Sequence, residues 1–156
     1  MIIEMTRNDF ALLQEGKAPG NLRLEQDVEL ASPTVLDMLA GLAAQLSEQF
    51  APSAWMLVEE GEIVGLMSVT RLPSPGELHI GYGVAPARQR RGYATHAVAA
   101  LLGWARSDMR VRSLSAETGA DNVASQRVLE RNGFVRVGDR IDLEDGPVIC
   151  WRIDIA

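Results

Sequence analysis

Residues 89–94 read Gln-Arg-Arg-Gly-Tyr-Ala and lie between a strand pattern and a helix pattern. Apolar residues alternate over 78–84, which is typical of a β-strand, and then recur on one helical stripe over 94–106. A glycine-containing turn that opens a helix presents backbone N–H groups without intrahelical partners, and the helix dipole adds partial positive charge there. The segment therefore predicts a site for an anion, best suited to a phosphate or pyrophosphate.

Three arginines, Arg88, Arg90 and Arg91, lie in or beside this turn. Two interpretations stay open: a solvated basic turn, or guanidiniums that reinforce the phosphate site by pairing with its oxygens. The whole chain has a formal net charge of -6. That charge opposes general nucleic-acid binding, so we expect no nucleic-acid partner. It favours a cationic partner such as an amine.

A second segment, residues 122–134, begins with Asn122, carries Ser125 one turn later and ends in Gly133-Phe134. Its pattern predicts a short amphipathic helix over 122–132, with Gly133 as the helix-ending residue. From the residues alone, Asn122 is typical of a helix cap and Ser125 of an ordinary first-turn residue.

Together the two segments resemble the GNAT superfamily of acyl-CoA-dependent N-acyltransferases, over about residues 54–140. The Gln-x-x-Gly-x-Ala turn is similar to that family's pyrophosphate loop, and the Asn-x-x-Ser…Gly-Phe helix to its second cofactor-binding helix. Residues 92–97 read Gly-Tyr-Ala-Thr-His-Ala, close to the Gly-Tyr-Ala-Thr-Glu-Ala of the branch that acetylates the N-termini of ribosomal proteins. The first 50 residues, where such families carry much of their substrate choice, show no clear likeness.

The resemblance implies acetyl-CoA as co-substrate and no metal. In the family the strand at 78–84 splays from its neighbour, and the pantetheine arm fills the gap. Backbone groups around 82–84 are then expected to bond the cofactor, with the Val84 N–H facing the thioester oxygen. A donor at that place is worth about 3 kcal/mol in other acyl-transfer enzymes. The expected cofactor-binding residues are Tyr82, Val84, Gln89, Arg90, Arg91, Gly92, Tyr93, Ala94, Thr95, Asn122 and Ser125.

An attacking amine must lose a proton, so a general base is expected. His79 shares a strand face with Gly81 and Gly83, and in the resembled branch a carboxylate commonly stands near its position. We therefore predict His79 as the base. The alternatives are that His79 only packs in the sheet, or that Glu77 is the base if the strand extends that far. A third interpretation makes Glu77 a solvated residue at the strand end.

The departing thiolate needs a proton. Many superfamily members carry a tyrosine for this purpose where this chain has Leu129. In the resembled branch the serine that matches Ser125 contacts the sulfur, and Asn122 helps to hold the pantetheine arm. Because an alkyl thiol has a pKa of about 8.5, we expect Ser125 to matter moderately.

The remaining patterns predict two early helices, then strands interleaved with helices, in one α/β domain over residues 1–156 with a mixed sheet. The resemblance makes this the GNAT fold, whose mostly antiparallel sheet is flanked by helices on both faces. Strands are predicted at 2–5, 55–59, 63–70, 78–84, 113–118, 135–141 and 148–155, and helices at 8–15, 33–49, 94–106 and 122–132.

The single cysteine, Cys150, excludes an internal disulfide and is expected to be a buried thiol. We see no secretory leader, membrane span or cluster with metal-ligand spacing, so we expect a cytoplasmic protein without membrane contact or metal. Relatives in the resembled family are often dimers, which leaves a homodimer open.

We therefore predict an N-acetyltransferase that moves an acetyl group directly from acetyl-CoA to a primary amine, in a ternary complex. The acceptor is a peptide N-terminus or a small-molecule amine. A non-catalytic acyl-CoA-binding sensor or regulatory domain is the alternative. A dinucleotide-dependent oxidoreductase is disfavoured, because Gly81-Tyr82-Gly83 lies within a strand and no complete Gly-x-Gly-x-x-Gly occurs.

Overall fold

The computed structural model describes residues 1–155. Its α-helices are α1 (Arg7–Gln14), α2 (Pro33–Leu46), α3 (Tyr93–Ser107) and α4 (Val123–Arg131). Its strands are β1 (Ile2–Glu4), β2 (Ala54–Glu59), β3 (Glu62–Arg71), β4 (Glu77–Val84), β5 (Ser113–Gly119), β6 (Val135–Asp142) and β7 (Gly146–Asp154). Each predicted helix and strand is present, within a few residues of its predicted bounds.

All seven of these strands lie in one sheet, in the order β1-β2-β3-β4-β5-β7-β6. Within residues 1–155, neighbouring strands run antiparallel except β4 and β5, which are parallel. A parallel pair needs a long crossover connection, and α3 provides it. The parallel pair also sets the position of the glycine-containing turn, because that turn begins the crossover.

The alternation of side chains along the strands divides the apolar core into two layers. In β2, Trp55 and Leu57 belong to the layer under α3 and α4, whereas Met56 and Val58 belong to the layer under α1 and α2. Helix α3 buries one stripe in the first layer, namely Ala97, Val98, Leu101, Leu102 and Ala105. Full burial of a large apolar side chain contributes roughly 1.5–3 kcal/mol. Helices thus cover both faces, and the predicted mixed, mostly antiparallel α/β fold is confirmed.

Helix α2 ends at Leu46, before the predicted end at residue 49. The Ser47 hydroxyl donates to the Ala44 carbonyl at 2.9 Å. A serine that bonds the local backbone in this way competes with continued helix, which accounts for the earlier end.

The strand residues buried in the layer under α1 and α2 come from β2 and β3, and this layer does not reach β5 or β7. Cys150 on β7 is therefore only partly buried, contrary to the prediction of a buried thiol. It lies opposite Glu117 of β5. Partial burial, followed by the Glu117 charge, raises the pKa of the Cys150 thiol.

Among the residues described, no helix has both the length and the apolar character needed to cross a membrane.

Candidate active site

Strands β4 and β5 run side by side for only part of their length. Residues 77–80 pair with residues 113–116. Beyond these, within the described chain, residues 81–84 pair with β3 alone and residues 117–119 with β7 alone. Each strand follows its antiparallel neighbour, and a gap opens between them. Backbone N–H and C=O groups at this gap need partners, which a ligand with amide groups can provide.

The turn after β4 leads directly into the N-terminus of α3. Gly92 is the N-cap residue, and its φ of 79° is left-handed, a conformation that glycine adopts readily. The first intrahelical bond runs from the His96 N–H to the Gly92 carbonyl. The N–H groups of Tyr93, Ala94 and Thr95 therefore have no partner inside the helix. These donors and the positive end of the helix dipole lie at one groove.

Two side chains hold this turn in place. Gln89 donates from Nε2 to the Val84 carbonyl at 3.0 Å, which closes the turn against the end of β4. Arg88 pairs with Glu62 and with Asp27, at 2.9 Å in each case, and its side chain is 13% exposed. Its charge is thus already neutralised by carboxylates, so Arg88 anchors the turn, and neither of the two interpretations left open for the three arginines describes it.

The groove has a volume of about 620 Å³ and runs between β4, the turn, α3 and α4. Among the residues described, its lining contains no Asp or Glu. Arg90, Arg127 and Arg131 add positive charge to it, in a chain whose formal net charge is -6. Arg91 is exposed but does not line the groove. A cleft lined by one sign of charge attracts the opposite sign, so this groove suits an anion.

Sequence analysis did not single out Arg127 or Arg131. Their spacing of four residues on the predicted helix places them on one face, and this was the available signal. The spacing alone does not indicate which face of this helix lies toward the glycine-containing turn.

Helix α4 brings Asn122 and Ser125 to the gap. The Asn122 side-chain oxygen accepts from the Ser125 N–H at 3.2 Å, as the capping interpretation requires. The Ser125 Oγ lies 3.0 Å from the Tyr82 hydroxyl, so this pair bridges β4 and α4. Burial raises the pKa of Tyr82, and the Ser125 hydrogen bond opposes that rise only in part. Tyr82 therefore keeps its proton at neutral pH.

A second contact ties α4 to the start of α3. The Asn132 side chain donates to the Thr95 carbonyl at 3.2 Å and to the Val128 carbonyl at 2.9 Å. Leu129, at the position where many relatives carry a tyrosine, is fully buried in the core. The two helices that line the groove are thus fixed relative to each other.

A chain of polar side chains crosses β4 and β5 on the opposite face of the sheet. The Ser115 hydroxyl donates to Glu77 Oε2 at 2.8 Å and lies 2.8 Å from His79 Nδ1. His79 Nε2 lies 3.6 Å from Glu117 Oε1. Arg71 also contacts this Glu117 carboxylate, at 2.9 Å.

The direction of these hydrogen bonds determines the tautomer of His79. Ser115 has one hydrogen and donates it to the Glu77 carboxylate, so it must accept from the His79 Nδ1–H. The Nε2 lone pair is then free and faces Glu117. Burial, followed by the Arg71 charge, lowers the pKa of His79, while Glu117 opposes the shift. The imidazole is therefore neutral near pH 7 and can accept a proton at Nε2.

Glu77 is not a solvated strand-end residue, because its side chain is only 13% exposed. It lies in β4 and accepts from Ser115 and from Ser74. Ser115 and Glu117 were missed in the sequence. Their alternation on the strand at 113–118 indicates a shared face, but only the parallel pairing of β5 with β4 brings that face to His79.

A smaller cavity of about 230 Å³ lies between α2 and strands β3 and β4. It shares Tyr82 and Gly83 with the cationic groove. No atom lies within 4 Å of the position that a Cβ on Gly83 would occupy. The two cavities therefore meet at β4, beside the gap between the strands.

The profile of the acetyltransferase (GNAT) domain family matches residues 16–135. The chain belongs to this family. It is also 33% identical over 85 residues to the "Uncharacterized N-acetyltransferase YjdG" of Bacillus subtilis (strain 168), a match that covers 53% of this chain and 51% of that relative. The match thus spans about half of the relative's length.

Solved structures with the same fold include a spermidine N-acetyltransferase from Vibrio cholerae in complex with CoA and spermine. Its TM-score is 0.71 at 15% identity, with 99% of this chain and 95% of that chain covered. The aminoglycoside acetyltransferase AAC(6')-Ib in complex with coenzyme A gives 0.69 at 22% identity, with 99% and 94% covered. At these identities the likeness concerns the fold, and it confirms the GNAT architecture.

Within this GNAT fold, most of the predicted cofactor residues line one groove. They are Tyr82, Val84, Gln89, Arg90, Gly92, Tyr93, Ala94, Thr95, Asn122 and Ser125. His79 and Glu77 lie apart from it, on the face that carries the smaller cavity. In residues 1–155, no three His, Cys, Asp or Glu side chains are grouped closely enough to hold a metal ion.

We predict that Gly92→Glu raises the dissociation constant for acetyl-CoA at least tenfold in titration calorimetry. The variant adds a negative charge at the helix N-terminus, where the pyrophosphate is expected. The matched control is Gly16→Glu, because Gly16 also has a left-handed φ, 76°, with no atom near its missing Cβ. Gly16→Glu adds the same charge and the same strain of a non-glycine residue at a left-handed φ, but away from the groove. It should therefore bind acetyl-CoA with the affinity of the parent protein. Equal affinity in both variants would reject the pyrophosphate assignment.

Proposed function

We propose that this protein is an acetyl-CoA-dependent N-acetyltransferase acting on a primary amine. The observation that carries the proposal is the cationic groove, which opens at the β4–β5 gap and meets a second cavity at Gly83. A cofactor in the groove has its diphosphate at the α3 N-terminus and its pantetheine arm along residues 82–84. The acceptor amine approaches from the second cavity. The likeness of residues 92–97 to the ribosomal-protein branch supports a peptide N-terminus as one acceptor.

The reaction is a direct transfer. The amine nitrogen attacks the thioester carbonyl carbon, a C–N bond forms and the C–S bond breaks, while the Val84 N–H stabilises the developing oxyanion. One proton leaves the amine and one joins the thiolate, which gives an amide and free CoA. Cys150, the single cysteine, has a raised thiol pKa, which disfavours a thiolate that would carry the acetyl group.

Initial rates of thiol release, measured while acetyl-CoA and an amine are both varied, should give intersecting double-reciprocal lines. Such lines indicate that both substrates are bound before chemistry. Parallel lines would indicate a covalent acetyl-enzyme instead. Tight acetyl-CoA binding without transfer to any amine would favour the non-catalytic sensor, to which the buried Leu129 in place of a tyrosine gives some support.

The Tyr82–Ser125 pair suits protonation of the departing thiolate. Tyr82 keeps its hydrogen at neutral pH and lies 3.0 Å from Ser125 Oγ. When Tyr82 donates to Ser125, the serine hydrogen is free to point into the groove. We propose that Ser125 donates to the thiolate and that Tyr82 positions it for this step.

Ser125→Ala should lower turnover about tenfold to a hundredfold, with little change in acetyl-CoA affinity. Tyr82→Phe keeps the ring, removes the hydroxyl and should lower turnover less. Because Tyr82 acts through Ser125, the double variant should be no slower than Ser125→Ala alone. Single-turnover thiol release, with cofactor affinity from calorimetry as control, measures all three. If the losses of turnover in the two single variants add up in the double variant, Tyr82 does not act through Ser125. Unchanged turnover in Ser125→Ala would leave water as the proton donor to the thiolate.

His79 is proposed as the base that takes the amine proton, through a bridging water. Its free Nε2 faces Glu117, which can stabilise the imidazolium that forms. It lies on the strand face of Gly81 and Gly83, both of which line the second cavity. Glu77 is proposed to orient His79 through Ser115.

His79→Ala should lower kcat/KM about a hundredfold, whereas Glu77→Gln should cost far less, because it keeps an oxygen that accepts from Ser115. The base must be unprotonated, so activity rises with pH through the pKa of His79. Since that pKa is lowered, the limb should lie below the ordinary histidine value of about 6.5 and vanish in His79→Ala. The reverse ranking would make Glu77 the base. Near-parental activity in both would mean that the amine arrives neutral.

A cytoplasmic location and a homodimer remain predictions from the sequence.

A further inference from the structure

The smaller cavity, which the proposed function gives to the acceptor, has an apolar wall. It consists of Leu30, Ala31, Val35, Leu39, Leu66, Ser68, Gly81, Tyr82 and Gly83. Within residues 1–155, none of these is charged. The Tyr82 hydroxyl is bonded to Ser125 at the cofactor groove, which leaves Ser68 as the side-chain hydroxyl of the wall.

Within the part of the chain that the structure describes, no Asp or Glu lines this cavity, so a second cationic group held against its wall has no lining carboxylate to pair with. An ammonium group removed from water without a partner is strongly disfavoured. Polyamines and aminoglycosides, which carry several such groups, therefore do not match this wall, although proteins of the same fold are named for them.

The volume of the cavity indicates the size of the apolar group that its wall can cover. Its volume is about 230 Å³, and an apolar cavity of about 150 Å³ can hold a benzene ring. One phenyl or branched-alkyl group fills it, with the amine directed to Gly83, where the two cavities meet.

We infer that the acceptor is a primary amine with a single uncharged, apolar substituent of phenyl or branched-alkyl size. This inference rests on the proposed function, since it assigns the cavity to the acceptor. The amine chemistry has two sources, a free monoamine or a peptide with an apolar first residue. Both place the same group against Leu39 and Leu66.

The first experiment compares acceptors by thiol release. 2-Phenylethylamine and a short peptide that begins with phenylalanine are compared with spermidine and an aminoglycoside. At least one of the first two should have a kcat/KM about tenfold or more above both polycations. The one with the higher kcat/KM shows whether the acceptor is a free monoamine or a peptide with an apolar first residue. A polycation that equals or exceeds both would overturn the inference.

The second experiment places a carboxylate in the wall. Leu39→Glu should lower kcat/KM for the better apolar acceptor about tenfold or more and should not lower it for spermidine. Its matched control, Met38→Glu, adds the same charge one residue earlier, at a side chain that is 60% exposed and does not line the cavity. Equal effects of the two variants would reject the cavity as the acceptor site.

A binding measurement separates this inference from the proposed function. 2-Phenylethylamine is titrated by calorimetry into parent, Leu39→Glu and Met38→Glu proteins saturated with CoA. Loss of binding in Leu39→Glu alone supports the cavity even if no amine is acetylated, in which case the proposed catalysis fails. If Leu39→Glu does not fold, as judged by lost CoA binding, Leu39→Ala replaces it and should weaken amine binding by enlarging the cavity. Equal amine binding in parent and variant overturns the inference.

Discussion

The separation of β4 from β5 is the feature on which the rest of the site depends. Up to Ile80 the two strands form an ordinary parallel pair, and beyond it each follows its antiparallel neighbour. Unpaired backbone groups are costly when they are buried, so a gap of this kind is stable only where solvent or a ligand reaches it. The groove beside α3 and α4 and the cavity under α2 lie on opposite faces of the sheet, and they meet beside this gap.

Electrostatics divides the two sides of this gap. An acidic chain with a formal net charge of -6 still provides a groove with several arginines and, in the described residues, no carboxylate. Arg88, although it lines the groove, is neutralised by Glu62 and Asp27, so it holds the turn to the body of the protein. We therefore expect affinity for an anion to come from the backbone N–H groups of α3 and from the arginines on the turn and on α4. The cavity on the other face is lined by uncharged residues, so the two sites differ in charge and suit the two proposed substrates differently.

The proposed proton transfers follow the same two-sided arrangement. On the cofactor side, Tyr82 and Ser125 form one hydrogen-bonded pair. On the acceptor side, Glu77, Ser115 and His79 form a chain that leaves one imidazole nitrogen free. A donor near the leaving sulfur and an acceptor near the attacking nitrogen are what acyl transfer to an amine needs. Each of these two groups of side chains joins different elements, so the backbone that forms the gap also positions the proposed proton donor and acceptor.

Local sequence determined the helices, the strands and the glycine-containing turn before α3. Periodicity of apolar residues predicted the seven strands and the four α-helices described for residues 1–155, because buried faces repeat every 2 or about 3.6 residues. Gly92 was recognisable because it lies between a strand pattern and a helix pattern, and its left-handed φ of 79° in the structure is one that glycine adopts readily. The capping role of Asn122 was readable because it involves neighbours three residues apart.

Only the tertiary structure decided which of these groups meet. The Tyr82–Ser125 contact joins residues 43 positions apart, and the Ser115–His79 contact joins residues 36 apart. Arg88 was indistinguishable from its neighbours in the sequence until the fold brought Glu62 and Asp27 to it. Likewise, partial exposure of Cys150 follows from which strands the α1–α2 layer covers. Such contacts depend on sheet order and helix placement, which arise from packing of the whole chain, whereas caps and turns depend on a few adjacent residues.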